Sequence, residues 1–255
     1  MYIPKLKQTL GICVVIILAG CSKHEVHSSS GVGDNLSTSA IFKNSQEKYA
    51  SLTSYNDEGE TVAIINGTTL TTTFTIKLAR PDLYRIKWAQ SSSDNGIVWS
   101  AGNGDFMDMG NGSKKLPDMG DALGSAGGVS ASASTTIPWQ FFKMHWDDQF
   151  GLSEVGKKQQ ADEKVGGVDC YVFTTELNGR TKTFWIGKLD FLIHQVRNVT
   201  SAEAMKAMME KAMQGHPEMA AQLKQTGFQY QGIISTEIHT NIVENINMTA
   251  NDFAR

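Results

Sequence analysis

Asn-Gly dipeptides set between stretches of alternating apolar and polar residues constrain this chain more than anything else in it. The dipeptide occurs five times, at Asn66-Gly67, Asn95-Gly96, Asn103-Gly104, Asn111-Gly112 and Asn178-Gly179. Both central residues of a type I′ turn need positive φ, which asparagine and glycine tolerate, so the dipeptide is a strong hairpin signal. After the first one, Leu70, Phe74, Ile76 and Leu78 alternate with Thr71, Thr73, Thr75 and Lys77. Tyr84, Ile86 and Trp88 then alternate with Arg85 and Lys87. A period of two gives each strand one apolar face. The pattern returns at 167–173, 180–186 and 191–197. It returns again at 227–240, where Ile234, Thr236 and Ile238 alternate with Ser235, Glu237 and His239. The chain is committed to antiparallel hairpins.

Helices interrupt the strands. Ser39 reads as an N-cap, and Ile41, Phe42, Ser45, Tyr49 and Leu52 recur at three- and four-residue spacing, predicting an amphipathic helix to about Ser54. Residues 201–214 predict a second helix, started at Ser201 and stopped by Gly215 and Pro217. Met205, Met208, Met209, Ala212 and Met213 share one stripe of it. A short helical piece follows at 218–224. Residues 118–136 are small, polar and glycine-rich, and read as a long loop holding at most one helical turn.

An export signal precedes this domain. Lys5 and Lys7 lead into an apolar run at 10–18, which closes on Ala19-Gly20-Cys21. The run is too short to cross roughly 30 Å of hydrocarbon as a helix. A cysteine directly after small residues resembles the lipobox of bacterial lipoproteins. That resemblance implies cleavage before Cys21, acylation of Cys21 with palmitate-like chains, and membrane anchoring by lipid alone. Ser22, where aspartate would retain a lipoprotein at the inner membrane, resembles the outer-membrane sorting signal. The expected organisation is a signal peptide at 1–20, a Ser- and Gly-rich tether at 21–38 and one folded domain at 39–255, facing the periplasm.

Composition narrows the function. Two positive charges leave with the signal peptide, so the net charge moves from −3 to −5. A mildly acidic chain lacks the basic face that nucleic acid requires. With Cys13 removed and Cys21 acylated, Cys170 stands alone, and its apolar neighbours read as a buried, inert thiol. No Gly-x-Ser-x-Gly elbow, phosphate-binding glycine loop or H-E-x-x-H is present, so no enzyme is expected, and no cofactor. His24 and His27 sit on the tether and form no preorganised metal site. His145 with Asp147 and Asp148 reads as a solvated turn. His194, between Leu192 and Val196, reads as a hydrogen-bonded core residue.

The order of motifs is similar to the LolA/LolB-like superfamily, closest to its outer-membrane lipoprotein-sorting-like branch. The resemblance spans about residues 40–253. It rests on 49–55 ending the first helix and on Thr72-Thr73-Phe74 leading into Ala79-Arg80-Pro81-Asp82-Leu83-Tyr84-Arg85. It rests also on 168–173 preceding 183–188, and on the closing Asp252-Phe253. It implies an α+β fold, an incomplete antiparallel β-barrel with helices packed on its concave face as a lid. It implies a hydrophobic ligand, a lipid or a lipoprotein acyl chain. The aromatic residues Phe74, Tyr84, Trp88, Trp99, Phe184 and Trp185 are packed core or cavity wall, and Met205, Met208 and Met209 are helix core or an adaptable lid. Arg80 is a surface residue or a latch bonded to backbone carbonyls of the lid. An anchored docking module with a filled core, engaging an envelope protein, is the competing reading.

Overall fold

The computed structural model of the protein describes residues 36–92, 95–145, 148, 150–215 and 229–255. The expected signal peptide, Cys21 and the short helix at 218–224 lie outside them. The alternating stretches form β1 (Ser54–Ile65), β2 (Thr68–Ala79), β3 (Leu83–Gln90), β4 (Asn95–Ser100), β5 (Asp105–Asp108) and β6 (Lys114–Leu116). The second half contributes β7 (Lys158–Gln159), β8 (Glu163–Val165), β9 (Val168–Leu177), β10 (Arg180–Gly187), β11 (Ile193–Thr200) and β12 (Ile233–Glu244). Among the described residues, four α-helices accompany them: α1 (Thr38–Ser51), α2 (Met119–Gly127), α3 (Thr136–Phe141) and α4 (Ala202–Ala212).

All twelve strands belong to one antiparallel sheet in the order β6-β5-β4-β3-β2-β1-β12-β11-β10-β9-β7, with β8 also on β9. The last strand, β12, pairs with the first and so joins two meanders. The outermost strands do not pair with each other. The sheet is therefore an open, curved half-barrel in an α+β fold.

Two of the five dipeptides make the tight turns expected of them. Asn66 and Gly67 have φ of 53° and 74°, and Asn178 and Gly179 have 49° and 71°. Asn95-Gly96 instead begins β4, and the reason is steric. Gly96 pairs with Trp88, and a Cβ there would come within 2.2 Å of the indole. A glycine under an aromatic ring lets the ring lie across the strand.

Paired residues share a face, so the register separates inside from outside. Tyr55, Ile76, Leu78, Tyr84, Ile86, Phe173, Phe184 and Ile186 point inward against Ile41, Phe42 and Tyr49 of α1, Leu123 of α2, and Ile137 and Phe141 of α3. The Phe42 and Phe173 rings meet edge to face at 4.7 Å. The Ser45 hydroxyl donates to the Phe191 carbonyl at 2.7 Å, and the Tyr49 hydroxyl accepts from the Ile193 amide at 3.1 Å. These bonds fix the rotation of α1 on the sheet.

Several boundaries differ from the sequence reading. The first helix is capped by Ser37, whose hydroxyl accepts from the Ala40 amide, and Ser54 already belongs to β1. Residues 118–136 are not a loop. They hold α2, capped by Asp118, and run through buried Ser130 and Ser134 into α3. Small side chains resemble loop composition, but here Ala122, Ala126 and Ala133 allow close packing under the sheet. The methionine helix ends two residues early, at Ala212, and Met213–Gly215 form a 3-10 turn. Cys170 is fully buried, and burial pushes its thiol up to about 12.

Candidate functional site

The inner face of the sheet is not wholly apolar. Asp57 on β1 and Glu237 and His239 on β12 are buried beneath α3. His239 Nδ1 bonds Asp57 Oδ2 at 2.7 Å, and its Nε2 lies 3.2 Å from Glu237 Oε1. The Tyr55 hydroxyl donates to Asp57 at 2.8 Å, and the Thr136 hydroxyl, from the first turn of α3, donates to Glu237 at 2.7 Å. Burial disfavours the imidazolium, but the two carboxylates outweigh it and raise His239 to about 10. The imidazole is thus protonated at neutral pH. A cation between two anions in a dry site satisfies groups that would be very costly unpaired. The cluster ties α3 to the centre of the sheet.

Beside it, between α3 and the inner face of β10 to β12, lies a cavity of about 460 Å³. Trp139, Thr136 and Gln140 of α3 form one wall, and Phe150 and His145 form the rim. The opposite wall is Arg180 and Lys182 of β10, Asn198 and Thr200 of β11, and Ile233 and Ser235 of β12. The Trp139 and His145 rings lie tilted against each other, 4.5 Å apart. The Arg180 guanidinium sits 4.6 Å from the centre of the Phe150 ring. Burial lowers Lys182 to about 8, against the opposing pull of Glu237 and Asp148. The walls mix aromatic surface with cationic and hydroxyl groups, which suits an amphiphile.

A larger groove of about 980 Å³ lies on the other face, under residues Ile246, Asn247 and Met248. Its floor is made by outward positions of β1 to β3, including Glu58, Glu60, Lys77, Arg85 and Lys87. It is the more open of the two and carries charges of both signs.

Arg80 closes the far end of the fold. Its guanidinium donates to the carbonyls of Tyr49 at 3.2 Å and Leu52 at 3.4 Å, and also to the carbonyl of Phe141. It also packs over the Phe141 ring, 4.3 Å from the centre. One side chain at the end of β2 thereby holds the last turns of α1 and α3.

The aromatic candidates divide between the faces. Phe74, Tyr84, Trp88 and Phe184 belong to the packed core, and Phe74 and Trp88 also border the outer groove. The Tyr84 hydroxyl donates to Asp105 at 2.7 Å. Trp99 stacks on Phe106 at 5.5 Å. Trp185 packs with Val165, Cys170 and Val172, and its Nε1 donates to Glu163. Met205, Met208 and Met209 line neither cavity, and Met208 is 46% exposed. The first turn of α4 abuts the β9–β10 turn, where a Cβ on Gly179 would meet Ser201 and Ala204. His194 bonds Asp190 at 2.9 Å as a nearly buried residue. His145 packs on Trp139, and Asp147 lies outside the described residues.

The sequence reading missed Asp57, Trp139, Arg180, Lys182, Glu237 and His239. Parity could have flagged two of them. Arg180 and Lys182 stand at the same alternate positions as Phe184 and Ile186, and so share the apolar face.

No protein-family model matches the sequence, and no curated protein matches it. Solved structures do resemble it. A LolA superfamily protein from Nitrosomonas europaea is 8% identical, with 87% of this chain and 99% of that one covered at a TM-score of 0.36. A putative outer-membrane lipoprotein-sorting protein domain from Vibrio parahaemolyticus is 12% identical, covering 85% and 97% at 0.33. The lipoprotein LppX from Mycobacterium tuberculosis is 10% identical, covering 84% and 97% at 0.42. The likeness is one of backbone course, and the open half-barrel stands on its own strand order and register.

Proposed function

We propose that this chain is a lipid-anchored protein of the bacterial outer membrane that binds an amphiphilic ligand, an acyl chain or lipid, without changing it chemically. The observation that carries the reading is the inner-face cavity, walled by Trp139 and Phe150 on one side and by polar strand residues on the other. A volume of about 460 Å³ falls within the range of small-ligand sites. The lipobox-like end at Cys21 supports anchoring, with the domain facing the periplasm. The non-enzymatic reading is supported by the burial of Asp57, Glu237 and His239, whose side chains are engaged with one another and with Tyr55 and Thr136. Arg80, joining α1 and α3 to β2, suits a latch that sets how far the helical wall of the cavity opens.

A photoactivatable fatty acid added to the full lipoprotein tests this. Cross-links should map to 132–151 and 180–182 and should vanish when Ser235→Trp fills the cavity. Labelling confined to other segments, or none, overturns the reading. The docking-module alternative is favoured by the well-filled core and the larger outer groove. Cross-links to an envelope protein through Lys77 or Lys87, with no lipid labelling, would support it instead.

A further inference from the structure

We infer that the inner-face cavity selects ligands with an anionic head group, gripped by Arg180 and Lys182. The inference rests on the ligand-binding reading and adds to it the charge of the ligand. Arg180 and Lys182 occupy successive inward positions of β10, so both cations project from one strand into one cavity. Residues two apart on a strand lie about 7 Å apart. Two positive charges that close repel each other, and the fold offers them no ion pair among the described residues. Their contacts are aromatic instead. Arg180 rests on Phe150, and the Lys182 ammonium is 5.0 Å from the centre of the Phe184 ring. Ring faces hold a cation in place while leaving its N–H donors unused.

The nearby carboxylates are engaged elsewhere. Glu237 is bound by Thr136 and His239, and Asp148 accepts from the Phe150 amide at 2.9 Å. Guanidinium and ammonium groups around one cavity are complementary to a carboxylate or phosphate, which would take charge-assisted bonds from both. The lowered value of Lys182 agrees, since a bound anion would restore what burial removes. A neutral amphiphile would leave the two cations without an ion-pair partner among the described residues.

Native mass spectrometry of the full lipoprotein in neutral detergent reads this directly, with dodecanoate, dodecyl phosphate and dodecanol as probes of equal chain length. The anionic probes should bind at least about tenfold more tightly than dodecanol, the ratio expected for one charge-assisted bond. Arg180→Gln and Lys182→Gln should each shrink that ratio. A preference for dodecanoate points to free fatty acids, and one for dodecyl phosphate points to phosphate heads; both support the inference. Equal binding of all three probes by the unaltered protein overturns the anionic preference and leaves the ligand-binding reading standing. Binding of none overturns the ligand-binding reading itself. The wild-type comparison decides whether or not either variant folds.

Discussion

Single residues hold this fold together at places where the sheet cannot. His239 is the clearest, because its charge is needed by both Asp57 and Glu237. Its value in the folded chain, about 10, stands above the ordinary unfolded value of about 6.5. A raised value means that its stabilisation is complete below about pH 6.5 and is lost as pH rises toward 10. The drop in melting temperature caused by His239→Gln should therefore shrink as pH rises from 7 to 10. A drop that stays level across this interval would contradict the assignment. Removing one member of a buried ionic cluster costs about 3–5 kcal/mol, so His239→Leu should be severely destabilised in urea unfolding. Arg80 acts at the opposite end. Arg80→Leu removes the donor to three carbonyls and should cost about 2–4 kcal/mol, since bonds to charged donors are worth about 1.5–3 kcal/mol each and water replaces part of the loss. Arg80→Lys should recover only a fraction, because a point charge cannot reach three acceptors as a fork does.

At the scale of elements, legibility followed locality. The β1–β2 and β9–β10 hairpins were readable because turn chemistry and alternation both act within a few residues. The helix α1 was readable from Ile41, Phe42 and Tyr49. The region 118–136 was not, since its small residues matter only through what they pack beneath. Ala126 is fully buried in α2, which lies on β4, β5 and β6. Ala126→Leu should therefore cost about 1–3 kcal/mol by overpacking, whereas a solvated loop would tolerate the change with no shift in melting. The polar cluster was hidden for the same reason. Glu237 and His239 alternate with Ile234 and Ile238, and only the pairing of His239 with Gly59 shows which set faces inward. The methionine stripe gives the opposite lesson. Its spacing is helical, yet Met208 is largely exposed and Met205 and Met209 lie outside the main core. Met208→Ser should change stability by less than about 0.5 kcal/mol, as exposed substitutions do. A larger loss in thermal unfolding would show that the stripe packs against something in the folded protein.

On the scale of the whole molecule, the described strands curve around three helices and leave an inner cavity beside a charged cluster. The packed core secures the helices, and the cavity opens where the β10–β12 end of the sheet meets α3. On the proposed reading, that arrangement would put a binding site inside the half-barrel, and a lipid-modified tether would keep it near a membrane. The direct measurement is mass spectrometry of lipids that co-purify with the full lipoprotein from its native membrane, compared with the Ser235→Trp variant. The account predicts a near-stoichiometric amphiphile on the wild type that is absent from the variant. Equal lipid on both proteins, or none on either, would contradict it.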